Sequence, residues 1–237
     1  MSVDWHGYDV FDPWVAGPPE ILSRAEALEM FERCMANRER RTEALRRLAA
    51  AHGVRVDEDD DSVQALNDWV TAEVAPDLEV PPGQMLPKWY SLAYDVGTFL
   101  GDVMIRRRPN LRWELGPSDT RNAECHRLLV KGFASEGSRS GGLDPVGVVT
   151  AYGLGLLHSR GFGSSYGVVT VKGHDLDLDD LAAHRPVPEP DTFLRLLQVA
   201  ERRNDGPPFE ETEEFRSIMG WWAPVERWLW RRARRRR

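Results

Sequence analysis

Asp95 and Asp102 stand seven residues apart, so any helix containing both presents them on one face. Paired carboxylates are the raw material of metal binding or general acid–base work, and Glu124 or His126 could approach them from a neighbouring strand. Such pairs are also common on the wet side of a helix, where they are only solvated or hydrogen-bonded. A second acidic set, Asp175, Asp177 and Asp179 within HDLDLDD, has the one-three-five spacing of a calcium loop. It departs from that loop at position six, Asp180 in place of glycine, and at position twelve, Pro186 in place of glutamate. Leu176, Leu178 and Leu181 give it the alternative reading of an acidic helix start anchored by leucines. The run Asp57 to Asp61 (DEDDD) lacks the glycine turn and distal glutamate of a calcium site and reads as a solvated loop and helix cap.

Two further strings match catalytic patterns only formally. Gly163, Ser165 and Gly167 spell GxSxG, but a nucleophile elbow follows a strand and precedes a helix, and here a helical stretch precedes and VVTV follows. Gly153 and Gly155 open a GxGxx string whose sixth residue is His158, inside a segment already helical in pattern. No residue set calls for a cofactor or a metal.

The C-terminus differs from the rest of the chain. Arg227 to Arg237 (RWLWRRARRRR) contains seven arginines and no acid, and a formal net charge of −7 therefore leaves −14 for residues 1–226. Trp228 and Trp230, interleaved with Arg227, Arg231, Arg232, Arg234 and Arg235, form a candidate surface for anions, with Trp221 and Trp222 just before it. About 1 kcal/mol of attraction per basic residue near an anionic bilayer could hold the protein there. Alternatively, the tryptophans complete the core while the arginines hang free or fold over DEDDD. Nucleic acid ranks behind both, because a body of −14 is repelled by phosphates.

The elements that must position these residues are legible in outline. At 237 residues and 41% hydrophobic, the chain can bury one large core. We expect one α+β domain over residues 1–223, with a helical part over 20–75 and an α/β part over 88–203, followed by a basic tail over 224–237. Ser23 and Glu26 have capping-box spacing at the head of a helix that Gly53 ends, and NRERR at 37–41 is charged enough to break it in two. A second amphipathic helix follows DEDDD. Pro76 to Pro87 reads as a linker or an extended cover strand.

Residues 88–108 predict a broad-faced helix ended by Pro109 and Asn110. Its Gly97 and Gly101 each cost about 1 kcal/mol relative to alanine, which implies close approach by a strand or helix. Strands are expected at 111–115 and 124–133 as an antiparallel pair, with His126 alternating outwards, and at 165–171. Asp144 and Pro145 open a helix that Gly161 closes, and helices are expected over 176–183 and 191–203. The sum is a small, mainly antiparallel sheet under helices.

Cys34 and Cys125 form no CxxC pair and no disulfide framework. The N-terminus has no basic start before an apolar run, and nowhere are eighteen apolar residues consecutive, so the cytoplasm is the default location, peripheral to membrane if the tail binds lipid.

Trp89, Tyr90, Ser91, Leu92, Asp95, Gly97, Leu100, Gly101 and Asp102, followed by Leu111, Arg112, Trp113 and Glu114, resemble a recurring pattern in small uncharacterised proteins of high-GC bacteria. The similarity extends over about residues 20–170 and leaves the tail outside; it carries no established activity and so implies no catalytic residue. In composition the chain is also similar in style to immunity proteins of bacterial toxin systems. These features lead us to expect a non-enzymatic cytoplasmic interaction protein whose acidic body meets a basic protein partner. A peripheral membrane protein and a metal-assisted hydrolase using Asp95 and Asp102 are the alternatives.

Overall fold

The computed structural model describes residues 3–13, 19–78, 84–119, 124–133, 141–162, 168–171, 174–177 and 188–205. After a short 3-10 turn at Pro19–Ile21 come α1 (Arg24–Ala51), α2 (Asp60–Glu73) and α3 (Pro87–Arg107). Strands β1 (Arg112–Leu115) and β2 (Leu128–Lys131), helix α4 (Pro145–Leu157), strands β3 (Val168–Val171) and β4 (His174–Asp177) and helix α5 (Thr192–Asp205) follow. The architecture is α+β: helices with two small antiparallel pairs, β1 with β2 and β3 with β4.

Helix α1 starts where its capping box says it should. Ser23 Oγ accepts from the Glu26 amide, and the Glu26 carboxylate accepts from the Ser23 amide at 2.7 Å. It runs unbroken to Ala51, contrary to the expected break at 37–41. The charges there are accommodated individually: Arg41 turns inwards to an acid, Arg40 meets Asp9 at 3.2 Å and Arg38 meets Asp102 at 3.1 Å. Gly53, at φ 75°, follows the His52 cap. Asp59 caps α2 by accepting from the Ser62 amide at 2.9 Å.

Helix α3 is the axis of the fold. Fourteen of its 21 residues are buried, so it is enclosed nearly all round. Leu92, Val96, Phe99 and Val103 join Leu45 and Leu48 of α1, Val63 and Leu66 of α2, Tyr152 of α4 and Phe193 and Leu197 of α5 in one core. The two helix glycines answer the expected close approach, one to a helix and one to a strand. A Cβ at Gly97 would stand 2.5 Å from Val146 Cα at the start of α4, and a Cβ at Gly101 would strike the indole of Trp113 on β1.

Residues 76–78 and 84–85 form the cover suggested by the proline-rich stretch, with Pro76 bridged to Met85 and Met85 buried against α4. Asp144 and Pro145 open α4, the Asp144 carboxylate accepting from the Gly147 amide at 2.8 Å. Two of the expected element extents need correction. β2 is shorter than 124–133, because a turn at 124–126 intervenes before the paired residues. The helix expected over 176–183 is contradicted at its start, since Leu176 and Asp177 pair with Val169 and Val168. The strand expected at 165–171 is present over Val168–Val171.

Candidate functional site

The residues that could carry chemistry converge on α3. Asp95 is completely buried and takes three donors. Arg41 Nε donates to Oδ1 at 2.9 Å, Arg41 Nη2 to Oδ2 at 2.7 Å, and the Tyr8 hydroxyl to Oδ2 at 2.5 Å. The two-point contact with a planar guanidinium is the strongest form of this pairing. Arg41 is fully buried too, and its Nη1 lies 3.0 Å from the half-exposed Asp9. Ser91, one turn before Asp95, accepts from the Phe11 amide at 2.8 Å and from Arg41 Nη2 at 3.3 Å, and its oxygen lies 3.1 Å from the Tyr8 hydroxyl. The guanidinium carbon sits 4.9 Å from the Tyr8 ring centre and 5.5 Å from that of Phe11, adding cation–π attraction from both.

Electrostatics follow from this enclosure. Burial pushes the Asp95 carboxyl up to about 6, against the pull of Arg41 and Tyr8. Burial alone would lower Arg41, but its hydrogen bonds to Asp95 and the charges of Asp95, Tyr8 and Asp9 together drive it above its ordinary range. Burial, aided by the Asp95 charge, drives the Tyr8 hydroxyl far up, so it stays a donor at any physiological pH. The group is a closed lock of opposite charges, with the segment over residues 3–13 as its cover.

Asp102 lies two turns further along α3 and belongs to a separate arrangement. Its Oδ1 accepts from Trp113 Nε1 at 2.9 Å and its Oδ2 lies 3.1 Å from Arg38 Nε. Burial raises its carboxyl above the usual range, opposed by the Trp113 bond and the Arg38 charge. Asp95 is held by Arg41 and Tyr8 and Asp102 by Trp113 and Arg38, so the two draw on different polar partners. The structure thus places both on α3, as the spacing predicts, and commits each to structural partners.

Neither expected helper joins them. The Glu124 carboxylate lies against Gly141. His126, expected to point outwards on a strand, is instead 3% exposed, at a left-handed φ of 54° in the turn before β2. Its Nδ1 lies 3.0 Å from the Pro19 carbonyl, so Nδ1 carries a proton, and its Nε2 is buried without a hydrogen-bond partner among the described residues.

Four of the five acids in the run Asp57–Asp61 are engaged by arginines of the same domain. Asp57 and Asp59 meet Arg55, each at 3.0 Å, Glu58 meets Arg106 at 2.6 Å and Asp60 meets Arg107 at 2.7 Å. Asp175 and Asp177 lie on β4, while Asp179 and Asp180 are outside the described residues. Among the described residues, no group of three His, Cys, Asp or Glu side chains is arranged to hold a metal ion. Gly163, Ser165 and Gly167 lie outside the described residues, as do Trp221, Trp222, Arg227, Trp228, Trp230, Arg231, Arg232, Arg234 and Arg235.

Sequence reasoning missed the residues that complete the lock. Tyr8 and Arg41 carried no motif, yet Trp5, Tyr8 and Phe11 recur at three-residue intervals, a signal of an anchored N-terminal segment. No protein-family model, curated protein or solved structure matches the chain.

Proposed function

We propose that the chain is a non-enzymatic, cytoplasmic interaction protein, immunity-like in style, whose acidic body docks a basic protein partner. The observation that carries this reading is the outer face of α2. Asp61, Ala65, Asp68 and Ala72 recur there at helical spacing and are exposed, and the helix contains four acids and no lysine or arginine. Small alanines between the acids leave a low surface that long basic side chains can cross. The engagement of Asp95 and Asp102 by internal partners argues in the same direction, since a carboxylate held by arginine and tyrosine in the core is not presented to a substrate.

Association driven by such a face is fast at low salt and weakens as salt is added. The test is affinity capture by the full-length protein at about 50 and 500 mM salt, roughly a threefold change in Debye length, beside the variant Asp61→Lys/Asp68→Lys. Basic partners released by salt and missed by the variant support the reading; acidic partners, or capture unaffected by salt, contradict it. Among the described residues no helix is long and apolar enough to cross a membrane. Sedimentation of the full chain with anionic but not neutral vesicles would favour attachment through the arginine-rich terminus instead.

A further inference from the structure

Residues 3–13 lie across the helical core as a strap held by its own aromatic side chains and by helix side chains that bind its backbone, the Phe11 amide donating to Ser91 Oγ at 2.8 Å. Trp5 packs edge-on against Trp89 at 5.2 Å, and Phe11 packs against Tyr94 at 5.0 Å. Between them Tyr8 reaches down to Asp95 and Ser91, and Asp9 meets Arg41. Along its edges His52 Nε2 lies 2.8 Å from the Asp4 carbonyl, and Arg33 Nη2 donates to the carbonyls of Asp12 and Pro13 at 2.7 and 2.8 Å. Among the described residues its backbone pairs with no strand. His6 at φ 45° and Gly7 at φ 74° bend it between its first two anchors, and the histidine pays a left-handed strain there.

The floor beneath the strap is what makes it separable. Lifting residues 3–13 gives the Arg41 and Asp95 charges back to water, and hydration of a buried pair offsets part of the apolar contact that is lost. The opened groove would be walled by Trp89 and Tyr94, with Ser91 and Asp95 to take a phenol and Arg41 to take a carboxylate. The one sequence shown to fit it is this chain's own Trp-x-x-Tyr-Asp-x-Phe. We propose that the α1–α3 groove is an exchangeable peptide site, in which the strap of one copy is replaced by residues 3–13 of a second copy to give strap-exchanged dimers. This site is distinct from the basic-partner face: it takes an acidic, aromatic segment on an arginine floor.

The strap in place competes with any incoming copy at an effective concentration in the millimolar range, so exchange is slow and apparent affinity modest. The experiment adds a synthetic, fluorophore-bearing peptide of residues 1–13 to the full-length protein and follows anisotropy up to about 1 mM protein, the scale set by that competition. A saturable rise is expected, weakened about tenfold or more when the peptide carries Tyr8→Ala or Phe11→Ala, as for aromatic anchors in a pocket. Because the substitutions are in the peptide, the folding of the protein is untouched. No saturable binding, or binding indifferent to both substitutions, overturns the proposal.

Discussion

Gly97→Ala tests the packing on which every position along α3 depends. The new methyl would meet Val146 Cα at 2.5 Å, Val146 N at 2.7 Å and the Pro145 carbonyl carbon at 3.0 Å, all main-chain atoms at the capped start of α4. None is the far end of a flexible side chain, so either α4 withdraws or α3 bends. Overpacking of this kind costs about 1–3 kcal/mol and occasionally more. Alanine returns about 1 kcal/mol of helix propensity. With contact on three backbone atoms the upper end applies, and we expect a net loss of about 2 kcal/mol. For a chain of this size that lowers the thermal midpoint by about 4–8 °C.

Gly153→Ala is the internal control, because its methyl would meet the thioether of Met85 at 2.7 Å, a flexible side chain that can turn away. There the helix gain about cancels the contact. Urea and thermal unfolding of the two variants, followed by circular dichroism, should therefore separate them by several degrees. Equal stability of Gly97→Ala and the parent, or a larger loss at Gly153, would refute the close approach of α3 and α4.

Three further outcomes follow from the site. Arg41→Met leaves Asp95 without its cation, at a cost of about 3–5 kcal/mol near neutral pH. The Asp95 carboxyl already lies at about 6, above its unfolded value, and loss of Arg41 moves it further up. A raised carboxyl contributes most below the unfolded value and loses that contribution as pH rises; because the parent's own Asp95 is protonated below about 6, the variant's deficit should shrink as pH falls from about 8 towards 6 and level off below that in urea titrations. Trp113→Phe removes the donor to the partly buried Asp102 and should cost about 1–2 kcal/mol by the same measurement. Asp59→Ala removes the cap of α2 and should cost about 1 kcal/mol, with the first-turn amides of α2 exchanging faster in deuterium exchange.

Local chemistry was the legible part of the fold. The capping box at Ser23, the helix cap within DEDDD, the Asp144–Pro145 start and the two close-approach glycines all act within a few residues or through one missing side chain. Their outcome in the structure matches the pattern. The misreadings have tertiary causes. NRERR looks like a breakpoint only if Arg41 must face water, and the inward partner that absorbs it stands 54 residues away on α3. His126 alternates outwards only if a strand begins at 124, whereas the turn there rotates its ring into the interior. Leu176 and Asp177 sit in a leucine-spaced acidic string that reads as a helix start, but they have strand partners in Val169 and Val168. For the candidate site, the spacing of Asp95 and Asp102 gave their shared helix correctly. It could not give Tyr8, Arg41, Arg38 or Trp113, each of which comes from another element.

The central claim, an acidic body that docks a basic partner, is tested most directly at the outer face of α2. Asp61 and Asp68 are exposed, but Asp61 lies in the first turn of α2 and Asp68 accepts from Gln64 at 2.7 Å, so Asp61→Lys/Asp68→Lys should fold with a loss of about 1–2 kcal/mol, checked by thermal unfolding before capture. Affinity capture by the full-length protein and this variant, at low and high salt, is the decisive comparison. The account predicts basic partners that bind the parent at low salt, leave at high salt and fail to bind the folded variant. Retention of the same partners by the variant, or by the parent at high salt, would contradict it.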